Sequence, residues 1–209
     1  MRHFDDLSML NKIRRLLEPQ LMGLGSRLAS KGWSPDLWTI LSFAFAIITA
    51  IVFSNIRQTM PFTWYYLSLT AGILLLISGF FDIIDGSVAR ASHRTSKRGA
   101  FMDSILDKFA ETIVYSGIAF SGLVNPILCM TALSSSLLVS YTRSRAESLG
   151  VDLKGIGLAE RAERLLIISL AAIVPVMNAM SYALALVLIL SIITLYQRLR
   201  HTYNKLNYN

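Results

Sequence analysis

Two neighbouring stretches, Phe81-Asp82-Ile83-Ile84-Asp85-Gly86-Ser87-Val88-Ala89-Arg90 and Gly99-Ala100-Phe101-Met102-Asp103-Ser104-Ile105-Leu106-Asp107, set four carboxylates into otherwise apolar sequence. Asp82 and Asp85 stand three residues apart, Asp103 and Asp107 four, so each pair shares one face of a helix. The basic run Arg94-Thr95-Ser96-Lys97-Arg98-Gly99 reads as a short loop, giving a helical hairpin with about eight connecting residues that brings the pairs together. Each uncompensated charge at a membrane boundary costs a few kcal/mol, so something positive must face these acids. The candidates are Arg90, Lys108 and bound divalent cations. Oxygen-only ligation suits Mg²⁺, Mn²⁺ or Ca²⁺ rather than zinc, and His3, His93 and His201 are isolated. Gly86, with Ala89 and Arg90 after it, leaves room for a ligand or a second backbone. A buried polar network that only fixes helix packing is the bland alternative, and four acids are a costly way to build one.

The surroundings of the hairpin are membrane-like. Of 209 residues 54% are hydrophobic and only 16% charged, against about 25% charged in a soluble domain. A crossing helix needs about 20 mostly apolar residues. Six apolar runs fit: Trp38–Ile56, Trp64–Ile84, Ala100–Leu123, Pro126–Tyr141, Leu165–Met177 (starting nearer Leu158) and Met180–Tyr196. Before them, Leu10, Ile13, Leu17, Leu21, Leu24 and Leu28 recur at helical spacing opposite Lys12, Arg15 and Arg27, a pattern suited to the membrane interface. Ser34-Pro35-Asp36 marks the next helix start. The expected architecture is an all-α membrane protein in one domain: an interfacial helix over 1–33, a six-helix transmembrane bundle over 34–200 and a cytoplasmic tail over 201–209. The amino terminus lacks the pattern of a cleavable signal peptide, and the lone Cys129 forms no internal disulfide.

Charge sets the orientation. The segments Asn55–Thr63, Gly122–Asn125 and Val174–Ser181 would share one side and hold a single basic residue, Arg57. The remaining Lys and Arg, and every Asp and Glu, lie towards the other side, so both termini and the acids are expected in the cytoplasm of a multi-pass cell-membrane protein. The net charge of +7 then reflects an anionic membrane surface, not nucleic acid.

Asp82-x2-Asp85-Gly86-x2-Ala89-Arg90-x8-Gly99-x3-Asp103-x3-Asp107 resembles the full motif of the CDP-alcohol phosphotransferases, eight identities across 26 residues. Ser34-Pro35-Asp36-x2-Thr39 is similar to the family's Ser-Pro-Asn-x2-Thr, with Asp where Asn is usual. The resemblance implies two Mg²⁺ or Mn²⁺ ions, one on Asp82, Asp85 and Asp103 and one on Asp82, Asp103 and Asp107, with Asp107 also the general base. It implies that Thr39, Asp85, Gly86, Ala89, Arg90 and Gly99 bind a CDP-lipid, CDP-diacylglycerol or CDP-archaeol, in a homodimer.

The acceptor is suggested by Ser140-Tyr141-Thr142-Arg143-Ser144-Arg145 and by Glu160-Arg161-Ala162-Glu163-Arg164. Arginine forks match a phosphate dianion better than a neutral alcohol, so Ser140, Arg143, Arg145, Arg161 and Arg164 are expected to hold an acceptor phosphate. Lys154, Arg198 and Arg200 could join them, although anchoring at the interface suits each better. The Glu-Arg-x-Glu-Arg run resembles the branch that makes phosphatidylinositol phosphate or archaetidylinositol phosphate from inositol 1-phosphate. Glycerol 3-phosphate is the second acceptor to weigh, and a divalent cation transporter the alternative of another class, since intramembrane acids also mark ion pathways.

Overall fold

The structure is a computed structural model that describes residues 9–56, 63–92, 96–153, 155–174 and 176–207, with side chains described from residue 18 onward. Leu7, His3, Arg57, His93, Arg94 and Lys154, and the side chains of Leu10, Lys12, Ile13, Arg15 and Leu17, lie outside the described residues. Seven helices and no strand are found among them: α1 Met9–Ser30, α2 Pro35–Ser54, α3 Thr63–Ala91, α4 Lys97–Ser121, α5 Pro126–Ser148, α6 Arg161–Ile173 and α7 Ala179–Asn207.

The helix ends have local causes. Ser34 is extended, and Pro35, whose ring presets helical φ, opens α2. The Ser96 hydroxyl accepts the Gly99 N–H at 2.9 Å and starts α4. Lys97, Arg98 and Gly99 therefore form the first turn of α4 instead of a loop, and the hairpin connection is shorter than the basic run suggested. Gly122, at φ 72°, ends α4 in the left-handed conformation that glycine enters most easily. Asn125 caps α5 by accepting the Ile127 N–H at 2.8 Å, with Pro126 behind it.

Three further boundaries depart from the apolar runs. α5 continues to Ser148, so Arg143 and Arg145 ride on a helix; α6 begins at Arg161, not near Leu158; α7 reaches Asn207, making most of the expected tail helical. Apolar runs mark where a helix meets lipid, whereas the backbone keeps its hydrogen bonds for as long as the side chains beyond are compatible with a helix.

By length and composition α2, α3 and α7 can each cross a membrane. The outer surface agrees: Ile40 and Ile51 of α2, Phe80 of α3, Ile127 and Met130 of α5, and Ile189 of α7 are all exposed. A water-facing surface avoids so continuous an apolar skin. The interior is knit by small residues, as expected where lipid offers helices no hydrophobic drive to associate. Ser42 and Ser78 each donate to the other's carbonyl, at 2.9 and 2.8 Å, clamping α2 to α3. Ser68 donates to Ala172 O at 2.9 Å, tying α3 to α6. α1 lies on α3, its Gly25 against the Ser87 backbone.

α2 and α4 cross where Gly117 faces the backbone of Ala50, with no room for a Cβ. Gly117→Ala should therefore push the helices apart and cost about 1–3 kcal/mol. A lowered unfolding midpoint in detergent would register it, and an unchanged midpoint would mean that the crossing yields freely.

Candidate active site

The last turns of α3 carry Asp82 and Asp85, and the first turns of α4 carry Asp103 and Asp107. Because α2 packs against both, the two helix ends are held side by side. Carboxylate oxygens of Asp82, Asp85 and Asp103 come within 4.8 Å of one another. Asp85 is buried and accepts the Thr39 hydroxyl at 2.9 Å, so α2 also orients the triad. Asp103 Oδ1 is buried with no hydrogen-bond partner, and a buried carboxylate oxygen without a donor lacks the hydrogen bond that ordinarily offsets its desolvation. An orphaned oxygen within a three-carboxylate cluster fits a hard divalent cation, for which oxygen donors are the preferred ligands.

Asp107 stands outside this triad. Its Oδ1 forms an ion pair with Arg161 Nη1 at 2.7 Å, and the same nitrogen donates a hydrogen bond to Asp82 Oδ1 at 2.9 Å. The acids were expected to meet Arg90 or Lys108. Arg90 instead donates to the Ser87 hydroxyl at 3.4 Å, and the paired cation comes from the start of α6. Lys108 stays within reach as a lining residue of the neighbouring cavity.

That cavity has a volume of about 820 Å³ and opens between α3, α4, α5, α6 and α7. Asp82, Asp103, Asp107, Ser140, Arg143, Arg161 and Arg164 are among the residues that line it. Arg145, two residues from Arg143 on α5, does not line it; its guanidinium lies 3.5 Å from the Ser148 hydroxyl on the exposed side. Thr39, Asp85, Gly86, Ala89, Arg90 and Gly99 do not line it either. Asp85 meets α2 through Thr39, and Ser87, next to Gly86, packs against Gly25 of α1. The acid triad thus borders the arginine-lined cavity through Asp82 and Asp103 and is tied to α2 through Asp85 and Thr39.

Arg164 departs furthest from expectation. It is 1% exposed, and Glu111 receives its Nε at 3.0 Å and its Nη2 at 2.9 and 3.2 Å, while Nη1 donates to Ala159 O at 2.9 Å. A guanidinium so engaged has little left for a ligand, and its evident task is to hold α6 on α4. Glu111 went unnoticed in the sequence, although it continues the Asp103–Asp107 spacing by four more residues. Arg198 is likewise buried, donating to Ile156 O at 2.9 Å and Val139 O at 2.6 Å beneath Glu160. Arg143 keeps its place at the cavity, paired with Glu147 at 2.9 Å on the exposed side.

Comparison with known proteins gives a consistent match. The family described as CDP-alcohol phosphatidyltransferase matches residues 33–197. Archaetidylinositol phosphate synthase of Pyrococcus horikoshii is 37% identical over 198 residues, covering 95% of this chain and 98% of that protein. Phosphatidylinositol phosphate synthase of Streptomyces avermitilis is 37% identical over 172 residues, 79% of this chain and 67% of its own length. The crystal structure of Mycobacterium tuberculosis phosphatidylinositol phosphate synthase with CDP-DAG bound aligns with a TM-score of 0.69 at 26% identity, covering 88% of this chain and 93% of that one. The same enzyme in complex with manganese and citrate also aligns with a TM-score of 0.69, at 25% identity and 88% coverage of each chain.

Proposed function

The chain belongs to the CDP-alcohol phosphatidyltransferase family, and from that premise we propose that it transfers the phosphatidyl or archaetidyl group of a CDP-lipid to inositol 1-phosphate, releasing CMP. The observation that carries the choice of acceptor is the cavity beside Asp107, which presents Ser140, Arg143 and Arg161 to whatever enters it. Guanidinium forks favour a ligand with a phosphate of its own. The names of the relatives, inositol phosphate lipid synthases from archaea and bacteria, support the same acceptor.

Asp82, Asp85 and Asp103 would hold one Mg²⁺ or Mn²⁺, and Asp82, Asp103 and Asp107 a second. Bound there, divalent cations supply Lewis acidity at the phosphate oxygens of the CDP-lipid. The protein's own groups do the rest. Thr39 fixes Asp85, and with Gly86, Ala89, Arg90 and Gly99 it forms the surface proposed to receive the CDP moiety. Arg143 and Arg161, with Ser140, orient the acceptor so that its hydroxyl faces Asp107. Asp107 takes the hydroxyl proton as the oxygen bonds to the β-phosphorus, and the bond from that phosphorus to CMP breaks with its electron pair leaving on CMP. Arg145 faces away from this cavity and is assigned to the membrane surface, and Arg164 to positioning α6.

The proposed topology places α1 in the interface and sends α2 to α7 across the membrane, with both termini and the site cytoplasmic, in a homodimer. The bias of basic residues supports the orientation. α6, at 13 residues, is short for a crossing. It starts beside the polar cavity, so only the remaining depth of the bilayer needs apolar helix.

CMP release from purified protein with CDP-lipid and Mg²⁺ tests the acceptor. Release with inositol 1-phosphate and none with glycerol 3-phosphate is expected; the reverse pattern would keep the acid site and discard the inositol assignment.

A further inference from the structure

We propose that Thr194 of α7 is a positioning residue for the acceptor alcohol: its hydroxyl fixes the Leu158–Ala159 backbone, and through it the place of Glu160, Arg161 and Arg143 at the cavity. The inference rests on the reading above, in which that cavity receives the phosphorylated alcohol. Thr194 itself does not line the cavity, and it stands on a helix that carries none of the four acids.

Its hydroxyl is used differently from those of other threonines in the bundle. Thr49, Thr70, Thr112 and Thr131 each donate to the carbonyl four residues earlier in their own helix, the ordinary outlet for a threonine there. Thr194, fully buried, receives two backbone N–H groups from another segment, those of Leu158 and Ala159, each at 3.1 Å. One hydroxyl oxygen has two lone pairs for such donors, so a single side chain satisfies two consecutive peptides that lie outside any helix. The fit is close. Gly157 sits at φ 127°, and a Cβ there would collide with the Thr194 methyl. With both N–H groups held by α7, Leu158 and Ala159 stay out of the helix, and α6 begins at Arg161 although the apolar run starts earlier.

Ala159 is clamped from both sides. Its N–H goes to Thr194, and its carbonyl receives Arg164 Nη1 at 2.9 Å, from the guanidinium that Glu111 holds on α4. The next residue, Glu160, is the N-cap of α6 and accepts the Arg164 N–H at 3.2 Å. Its carboxylate lies 4.0 Å from Arg143 Nη1 and 3.6 Å from Arg198 Nη2, and Arg161 follows it directly in the chain. A helix turns its side chains by about 100° per residue. A slip of the Ala159 peptide therefore re-aims Arg161 and frees Arg143 from Glu160, while Asp82, Asp85 and Asp103 keep their places on α3 and α4.

The test follows CMP release by the purified full chain with CDP-lipid and Mg²⁺ while inositol 1-phosphate is varied. Thr194→Val keeps the branched shape but removes the oxygen that receives both N–H groups. It should raise KM for inositol 1-phosphate by about tenfold, within the range set by one buried donor left unpaired, with kcat and KM for the CDP-lipid unchanged. Thr194→Ser restores the hydroxyl and should return KM towards wild type. Amide hydrogen exchange gives a readout free of turnover: Leu158 and Ala159 should exchange faster in Thr194→Val than in wild type or Thr194→Ser. Gly157→Ala moves the same backbone with the hydroxyl kept, and should raise the same KM even if the valine variant cannot be purified. Folded Thr194→Val or Gly157→Ala protein with the wild-type KM for inositol 1-phosphate overturns the proposal. So does a KM for the CDP-lipid that rises equally, or a Thr194→Ser protein no better than Thr194→Val. Failure of the underlying reading has a different mark: Arg143→Ala, which alters the cavity itself, would then leave KM for inositol 1-phosphate at the wild-type value.

Discussion

Asp107→Asn protein should fold, insert and keep its unfolding midpoint, yet release CMP at least about a hundredfold more slowly with inositol 1-phosphate, since a positioned base typically contributes 10²–10⁴-fold. The substitution keeps shape and keeps an oxygen for Arg161 Nη1, so the cavity wall should stay in place. What it removes is the site that accepts a proton. The acid triad of Asp82, Asp85 and Asp103 is untouched and should still bind Mn²⁺. The Thr39–Asp85 surface is also untouched, so KM for the CDP-lipid should change little while kcat falls. That split separates loss of the base from loss of lipid binding. A wild-type rate would assign the proton to another group, and a kcat loss accompanied by a lower unfolding midpoint would assign Asp107 to structure instead.

The site was only partly legible in the sequence, and the boundary has a physical cause. Carboxylates three and four apart declare their common face because helix geometry is local, and Asp82, Asp85 and Asp103 duly converge. Pro35 and Pro126 announce helix starts for the same reason. Which arginine answers the acids is not local. Arg90, eight residues from Asp82, was an obvious candidate and turns to Ser87, whereas Arg161 arrives from 79 residues away. One-dimensional charge gives a helix its face but not its depth, so Arg161 and Arg164, three apart and correctly placed on one side, could not be told apart. One meets the cavity rung with Asp107 and the other the buried rung with Glu111. Arg143 and Arg145 are the contrasting case. Two residues apart on a helix they must point in different directions, and had α5 been extended past Tyr141 in the sequence, Arg145 would have been set aside.

Glu111→Gln alone should be the most destabilising of these changes. Glu111 and Arg164 have side chains 0% and 1% exposed, so the substitution strands a guanidinium where water does not reach. Breaking a buried pair from one side costs about 3–5 kcal/mol, and for a chain of this size each kcal/mol lowers the midpoint by about 2–4 °C. The paired replacement Glu111→Met with Arg164→Met removes both charges at similar volume and should recover most of the midpoint, because the desolvation of two ions disappears with their attraction. Recovery of stability need not bring recovery of function. Without Arg164 the hold on Ala159 O is gone, the first turn of α6 should loosen, and Arg161 should lose its fixed place at the cavity. The double variant should therefore melt near wild type and still show a raised KM for inositol 1-phosphate, with KM for the CDP-lipid unchanged. A double variant normal in both respects would reduce the pair to one packing solution among several. A double variant as unstable as the single would mean that the pair contributes through its shape and hydrogen bonds, since removing an isolated charge would then have relieved nothing.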